Sequence, residues 1–310
     1  MFCRLFLDCK LTSTPVLPAT TLDNNCYICM FEDCVSLKTS PSILPATNLK
    51  DNCYRRMFAM CDSLTNAPIL PATTLAPYCY SEMFIDCTSM TTAPELPATT
   101  LADYCYNRMF YECSSLTTAP ELPAKILANA CYQWMFSSCS SLKQAPALPA
   151  TTLAGNCYNG MFSGCTSLAT ASELPATTLA NSCYLNMFRN CTSLTSAPEL
   201  PAKNLTGKCY NGMFYGCTSL KRIKMSASHG FFWCENMFNG CTSLELVDMT
   251  GSTGVPELDM GVFDNTNDTY KVVVPDSLYD TWITTEGWTL ISSHIMKKSD
   301  WNAAHPDNQL

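Results

Sequence analysis

Twenty-one cysteines in 310 residues are the first side chains here that could do chemistry. A thiolate ligates soft metals, forms disulfides and attacks electrophiles. Most of the cysteines fall into two columns with a 26-residue period. Cys53, Cys79, Cys105, Cys131, Cys157, Cys183 and Cys209 form one, and Cys61, Cys87, Cys113, Cys139, Cys165, Cys191 and Cys217 form the other. Zinc needs four donors converging tetrahedrally, commonly from close C-x-x-C pairs, whereas positions i and i+8 of one helix lie about 12 Å apart. No metal is expected. Cys26-Tyr27-Ile28-Cys29 is the single C-x-x-C, and with Cys29 on the outer face of its segment the plain reading is an exposed thiol. Column mates stand about one strand spacing apart, within Cα reach of a disulfide, but parallel in-register side chains point the same way. Buried free thiols, packed as small hydrophobes with S–H on a turn carbonyl, are therefore the favoured state. Disulfides in an oxidising compartment stay open as the alternative, although an odd total cannot pair completely.

A further column is acidic: Glu95, Glu121, Glu173 and Glu199, interrupted by Ala147. Carboxylates one repeat apart could hold a cation or share a proton. Exposed at about 5 Å in water they repel only modestly, so a solvated stripe is the plainer reading. His229, His294 and His305 are the only histidines, and none lies in a repeat column or beside a recognisable nucleophile. Neither H-E-x-x-H nor G-x-S-x-G occurs, nor a phosphate-cradling glycine loop. The expectation is a chain without catalytic residues, metal or cofactor, and not an enzyme.

The elements that must hold these columns follow from the same period. A phenylalanine column runs through Phe6, Phe31, Phe58, Phe84, Phe110, Phe136, Phe162, Phe188, Phe214, Phe238 and Phe263. It marks about eleven coils, the first truncated at Met1 and the last degenerate, with Thr266 in place of a cysteine and Tyr270–Pro275 as its strand. Placed on a helix at 100° per residue, C-Y-x-x-M-F-x-x-C puts the Cys, Tyr, Met and Phe on one arc of about 140°. The following S-L-T-T-A-P-E-L-P reads as an extended stretch with Leu and Ala inward. Pro68, Pro94, Pro120, Pro146 and Pro198 remove ladder donors, so strands of about two to four residues are expected. Such a unit buries its apolar face only by stacking on its neighbours. The fold expected is an α/β solenoid of about eleven 26-residue coils, with short parallel strands and short helices, over residues 1–275. Residues 276–310 are expected to close it, with Asp276 or Ser277 capping a helix that lays Leu278, Tyr279 and Trp282 over the last coil.

Composition narrows the partners. Eighteen basic against 26 acidic residues give a net charge of −8, and no basic cluster interleaves with aromatics, so nucleic acid is not expected. No stretch approaches the roughly 20 apolar residues that span a bilayer. The opening Met1–Cys9 is too short and too soon charged for a signal peptide. Without a cap before the first coil, either a preceding N-terminal portion or end-to-end packing is expected there.

The strings M-F-x-x-C-x-S-L, for instance Met161–Leu168, and the strand Arg222-Ile223-Lys224-Met225 resemble the BspA-like leucine-rich-repeat proteins. Nearly the whole chain takes part. It departs from that pattern in using 26 residues rather than about 23, Met before the Phe, and P-E-L-P at the strand end. The resemblance implies surface display and recognition of a protein or glycan, at a cell surface, extracellularly or on a phage-like particle. Within the chain the x positions vary most, and a rigid core with diversified outer residues suits recognition. The helical face, with Arg56, Tyr111, Trp134 and Tyr215 as anchors, is the first candidate surface, and relaxed constraint on solvent-facing positions explains the variation equally well. The Thr/Ser/Glu face with Glu95, Glu121, Glu173 and Glu199 is the rival. An adhesion module and a structural spacer without a ligand both stay open.

Overall fold

A computed structural model describes residues 3–229 and 234–310. Successive repeats stack in register, and the stack is built around two aromatic ladders. Phe6 lies on Phe31 with ring centroids 5.4 Å apart and planes 1° from parallel, and the stacking continues repeat by repeat to Phe263. A tyrosine ladder runs beside it from Tyr27 to Tyr210 at 5.8–6.0 Å. Both cysteine columns, the methionines before each Phe and the leucines of S-L and E-L-P join one continuous core.

The segment expected to be helical is something else. Over C-Y-x-x-M-F-x-x-C the backbone forms a ribbon of overlapping turns. The described helices, α1 (Tyr279–Thr284) and α2 (Lys298–Ala304), lie beyond the repeats, as do two 3-10 helices at Asp276–Leu278 and Trp288–His294. In the ribbon of residues 50–61 the N–H groups of Cys53, Arg55, Met57, Ala59 and Cys61 donate three residues back. The N–H groups of Asn52, Tyr54, Arg56, Phe58 and Met60 donate instead to carbonyls of the next repeat, at Pro77, Cys79, Ser81, Met83 and Ile85. An α-helix would keep its interior N–H groups within itself, whereas the ribbon spends half of them on joining repeats.

The ribbon requires a left-handed residue every fourth position. Asn52, Arg56 and Met60 have φ of 55°, 54° and 59°, and the pattern recurs at Tyr104, Arg108 and Glu112. Each sits third in a turn, the position where type II geometry needs positive φ. Inward pairs such as Cys53–Tyr54 and Met57–Phe58 therefore recur with a period of four. Several outer positions are covered by the neighbouring repeats: Ala59, Ser81, Ser137 and Asn211 are buried.

The extended side is sparse. Upstream of residue 222 it consists of isolated parallel bridges, such as Ile43 with Ile69 and Thr92 with Thr118. A parallel sheet then forms in the order β1 (Arg222–Lys224), β2 (Leu246–Asp248), β3 (Lys271–Val274) and β4 (Ile295–Lys297). Strand length matches the expected two to four residues, and the sheet appears where the P-E-L-P prolines stop.

After the sheet, Trp282 on α1 is fully buried and packs edge-on against Trp288, whose indole N–H donates to the Pro256 carbonyl at 2.6 Å. The expected helix is present, but neither Asp276 nor Ser277 caps it. No side chain caps α1, and Asp276 Oδ1 accepts the Ser299 N–H at 3.0 Å.

Alternate tyrosines of the ladder, Tyr80, Tyr132 and Tyr184, bury hydroxyls without a hydrogen-bond partner. A buried unpaired hydroxyl costs about 1–3 kcal/mol of desolvation. Tyr132→Phe keeps the ring stack and removes that cost, so thermal melting should show unchanged or raised stability, by up to about 1 kcal/mol.

Candidate binding surfaces

The four aromatic and arginine anchors do lie on the ribbon face, but each is already engaged, Arg56, Trp134 and Tyr215 by a neighbouring repeat and Tyr111 by Arg108 of its own repeat. Arg56 sits between two carboxylates, with Nη2 2.7 Å from Glu32 Oε1 and Nη1 against Glu82 Oε2. Arg55 Nη2 adds a contact to Glu82 at 3.2 Å. The charges thus alternate across three repeats. Burial works to raise the Glu32 carboxyl, yet the hydrogen bonds from Arg56 and Cys29 and the charges of Arg56 and Arg4 together outweigh it and hold Glu32 below the usual range. Arg189 covers the Tyr215 ring at 3.8 Å, and Arg108 lies 5.6 Å from the Tyr111 ring centre. Trp134, itself left-handed at φ 55°, lays its indole over Gly160 of the next repeat. All four are half-buried.

Arg56→Ala should therefore act on stability. It removes the cation between Glu32 and Glu82 and leaves Glu82 with Arg55 alone, at an expected cost of about 1–2 kcal/mol given the partial exposure. Urea denaturation at low and high salt checks this, and the loss should shrink as salt screens these charges.

The partners Glu32, Glu82 and Arg189 were not singled out by sequence, nor was the stack of Arg55, Tyr78 and Tyr104, in which the two rings lie 4.7 Å apart. The signal was there: opposite charges, or Arg with Tyr, recur at offsets of 23 to 27 residues.

The opposite candidate is open. Glu95, Glu121, Glu173 and Glu199 are exposed, in a column that continues forward through Ile69, Ile43 and Val16. Ile69 is 62% exposed and Val16 83%. Two lines of prolines flank the column and border shallow grooves. One, of about 440 Å³, lies between Pro94-Glu95-Leu96-Pro97 and Pro120-Glu121 with Pro123, and another, of about 420 Å³, lies between Pro68-Ile69-Leu70-Pro71 and Pro94-Glu95 with Pro97. The backbone ladder lapses on this face. Leu44 N–H reaches Ile69 O at 3.1 Å, and the ladder resumes where Leu200 N–H reaches Lys224 O at 2.9 Å. Between them, among the described residues, no backbone–backbone hydrogen bond leaves residues 93–98 or 119–124. Glu199 pairs with Lys224 Nζ at 2.9 Å, and among the described residues Glu95, Glu121 and Glu173 have no such pair.

The cysteines are structural in their geometry. Cys61, Cys87, Cys113, Cys139, Cys165, Cys191, Cys217 and Cys241 each donate S–H to a phenylalanine carbonyl of the preceding repeat at 3.0–3.1 Å. This is the expected thiol–carbonyl bond. Cys29 differs from expectation: it is buried, at 5% exposure, because the ribbon turns it between its own repeat and the Arg56 cluster. Burial, then a hydrogen bond to Glu32, pushes its thiol up to about 11. Among the described residues, no three His, Cys, Asp or Glu side chains converge as a metal site, and no helix is long and apolar enough to cross a membrane.

The family model described as "BspA type Leucine rich repeat region" matches residues 53–195 and 155–281, in six copies. No curated protein matches the sequence. Among solved structures, the chain is similar to a leucine-rich repeat protein from Bacteroides ovatus, at 20% identity and a TM-score of 0.49. That similarity covers 87% of this chain and 74% of that one.

Proposed function

We propose a non-catalytic binding role for this chain, which belongs to the BspA-type leucine-rich-repeat family. In this reading residues 1–275 are a solenoid scaffold of about eleven coils, residues 276–310 close its end, and the proline–glutamate face meets a protein or glycan ligand. Display at a cell surface, extracellularly or on a virion fits such a role. One observation carries the choice of face. Glu95 and Glu121 stand exposed beside grooves large enough for a side chain or a sugar ring, while Arg56, Trp134 and Tyr215 are engaged between repeats and Tyr111 is covered by Arg108 of its own repeat. Rigid proline walls with carboxylates between them offer apolar contact and hydrogen-bond acceptors at little ordering cost.

The test is a screen of the intact chain against glycans and cells, followed by the double variant Glu95→Gln/Glu121→Gln. Binding should fall at least about fivefold, a loss of roughly 1 kcal/mol, with melting unchanged because both side chains are solvated. Retained binding in that variant, with loss in Tyr111→Ala, would return the site to the ribbon. The spacer reading is favoured by the unbroken Phe and Tyr ladders, and a blank screen is its expected result. Exposed Leu5 and Leu7 support end-to-end packing as a further partner mode, which sedimentation against concentration would detect.

A further inference from the structure

The turn ribbons have a direction. In each repeat alternate N–H groups point to the following repeat and bond its carbonyls, as Asn236, Phe238 and Gly240 do to Met260, Val262 and Asp264. In the ribbon at 259–266 the corresponding donors are Gly261, Phe263 and Asn265. Among the described residues no hydrogen bond leaves any of these three N–H groups. Among the described residues no further ribbon follows. Beyond them lies a groove of about 340 Å³ between the ribbon and the segment carrying Gly287, Leu290 and Ile291.

The walls of that groove are specific. Met260 and Leu290, at 85% and 87% exposure, stand at it as large apolar side chains turned to solvent. Asp259 and Asp264 border it, and the ring of Tyr270, stacked on Phe263 at 4.8 Å, also lines it. We infer that this end of the ribbon ladder takes a peptide segment of a partner protein, bearing basic and apolar side chains and folded into the same turn ribbon, as one additional rung. The three donors recur at every second residue of a turn ribbon, so the guest must present carbonyls at the same spacing, as each repeat's own ribbon does to the one before it. This is the ribbon counterpart of strand addition, in which main-chain bonds give affinity and flanking side chains give selectivity. The acidic border selects a basic residue, while Met260 and Leu290 select an apolar one. An anionic guest is disfavoured by the same two aspartates.

The chain's own repeats supply a probe of this chemistry. A synthetic peptide copying residues 52–61, with serine at both cysteine positions, carries two arginines beside Met and Phe. On saturation of the intact chain, amide exchange at Gly261, Phe263 and Asn265 should slow at least about tenfold by NMR. The same peptide with glutamate at both arginine positions should leave exchange unchanged. Leu290→Asp and Met260→Asp, at side chains that face solvent, should keep the melting temperature and abolish the slowing. The inference is overturned by unchanged exchange at millimolar peptide, by equal slowing with the acidic peptide, or by slowing that survives Leu290→Asp. Slowing that grows with chain concentration in the absence of peptide would assign the groove to a second copy instead, and overturn the peptide reading.

Discussion

Raising the pH from 8 to 10 is expected to unfold this chain over a narrow interval, well before its backbone chemistry is threatened. The cause is the thiol columns. Burial pushes Cys53, Cys105, Cys113, Cys157, Cys165 and Cys241 up to about 12, and Cys79, Cys87, Cys131, Cys139, Cys191 and Cys217 well above the ordinary value. An unfolded thiol titrates near about 8.5. Below that pH both states hold the proton, and the thiols add no pH dependence. Above it the unfolded chain releases protons that the folded chain keeps, so stability falls by about 1.4 kcal/mol per pH unit for each thiol until the folded value is reached.

At pH 10 each such thiol has removed about 2 kcal/mol, and the first six together on the order of 12 kcal/mol, as large as the whole stability of an ordinary domain at 5–15 kcal/mol. The tyrosine ladder steepens the fall at higher pH, since burial also raises Tyr80, Tyr106 and Tyr210 far above their ordinary value. Far-ultraviolet circular dichroism against pH should show the transition, with tyrosinate absorbance rising alongside it rather than before. A signal that stays native to pH 11 would mean that the thiols ionise within the folded stack. The same burial has a consequence at neutral pH. Thiolate is the reactive form, so alkylation of the native chain should be confined to Cys3, Cys9 and Cys26, the cysteines that are not buried.

Much of this architecture was readable because it repeats. The columns of Cys, Tyr, Met, Phe and Leu recur every 26 residues, and one repeat cannot bury them alone, so stacking followed directly. The strands at Arg222–Lys224 and Lys271–Val274 lie where the sequence placed them. The ribbon reads as a helix in the sequence for a definite reason: over nine residues a period of four is nearly indistinguishable from 3.6, and both put Cys, Tyr, Met and Phe on one side. What separates them is backbone sign. Arg56, Met60 and Trp134 hide it, because such residues rarely adopt positive φ. Elsewhere the sign is legible, since Gly160 and Gly164, Asn186 and Asn190, and Gly212 and Gly216 occupy the same four-residue spacing, and these are the residue types that tolerate the left-handed region.

Variation among the outer positions was the harder signal. It suggested recognition of a partner, but much of it records recognition between adjacent repeats. The outer side chains lean over the following repeat: a Cβ at Gly212 would meet Asn186 Oδ1, and one at Gly261 would meet Asn236 Oδ1 at 2.5 Å. In this column Trp134, Asn186 and Asn236 are each followed by glycine in the next repeat, at Gly160, Gly212 and Gly261. The acidic column could be located by sequence alone, but its openness could not, because that depends on where prolines interrupt the ladder and which carboxylates find a cation.

Gly160→Ala is the sharpest probe of this neighbour dependence. An added Cβ would lie 2.5 Å from Trp134 Cε3, 2.6 Å from Cδ2 and 2.7 Å from Cζ3, inside any tolerable contact, and the backbone there has φ of 61°. The indole is a rigid plane and cannot yield by a small torsion at its far end. Overpacking of this kind costs about 1–3 kcal/mol, and a left-handed non-glycine residue adds about 1–2 kcal/mol. The single variant should therefore lose about 2–5 kcal/mol, concentrated between the repeats that carry Phe136 and Phe162. Trp134→Gly removes the ring and its own positive-φ strain together. In that background Gly160→Ala should cost only the backbone share of about 1–2 kcal/mol, so a double-mutant cycle should return a coupling of about 1–3 kcal/mol. Purely additive losses would show that the indole swings clear of residue 160 in solution. A measured coupling would establish that each repeat is fitted to the one after it, so exchanging two repeats of identical core sequence would destabilise the stack through their outer residues alone.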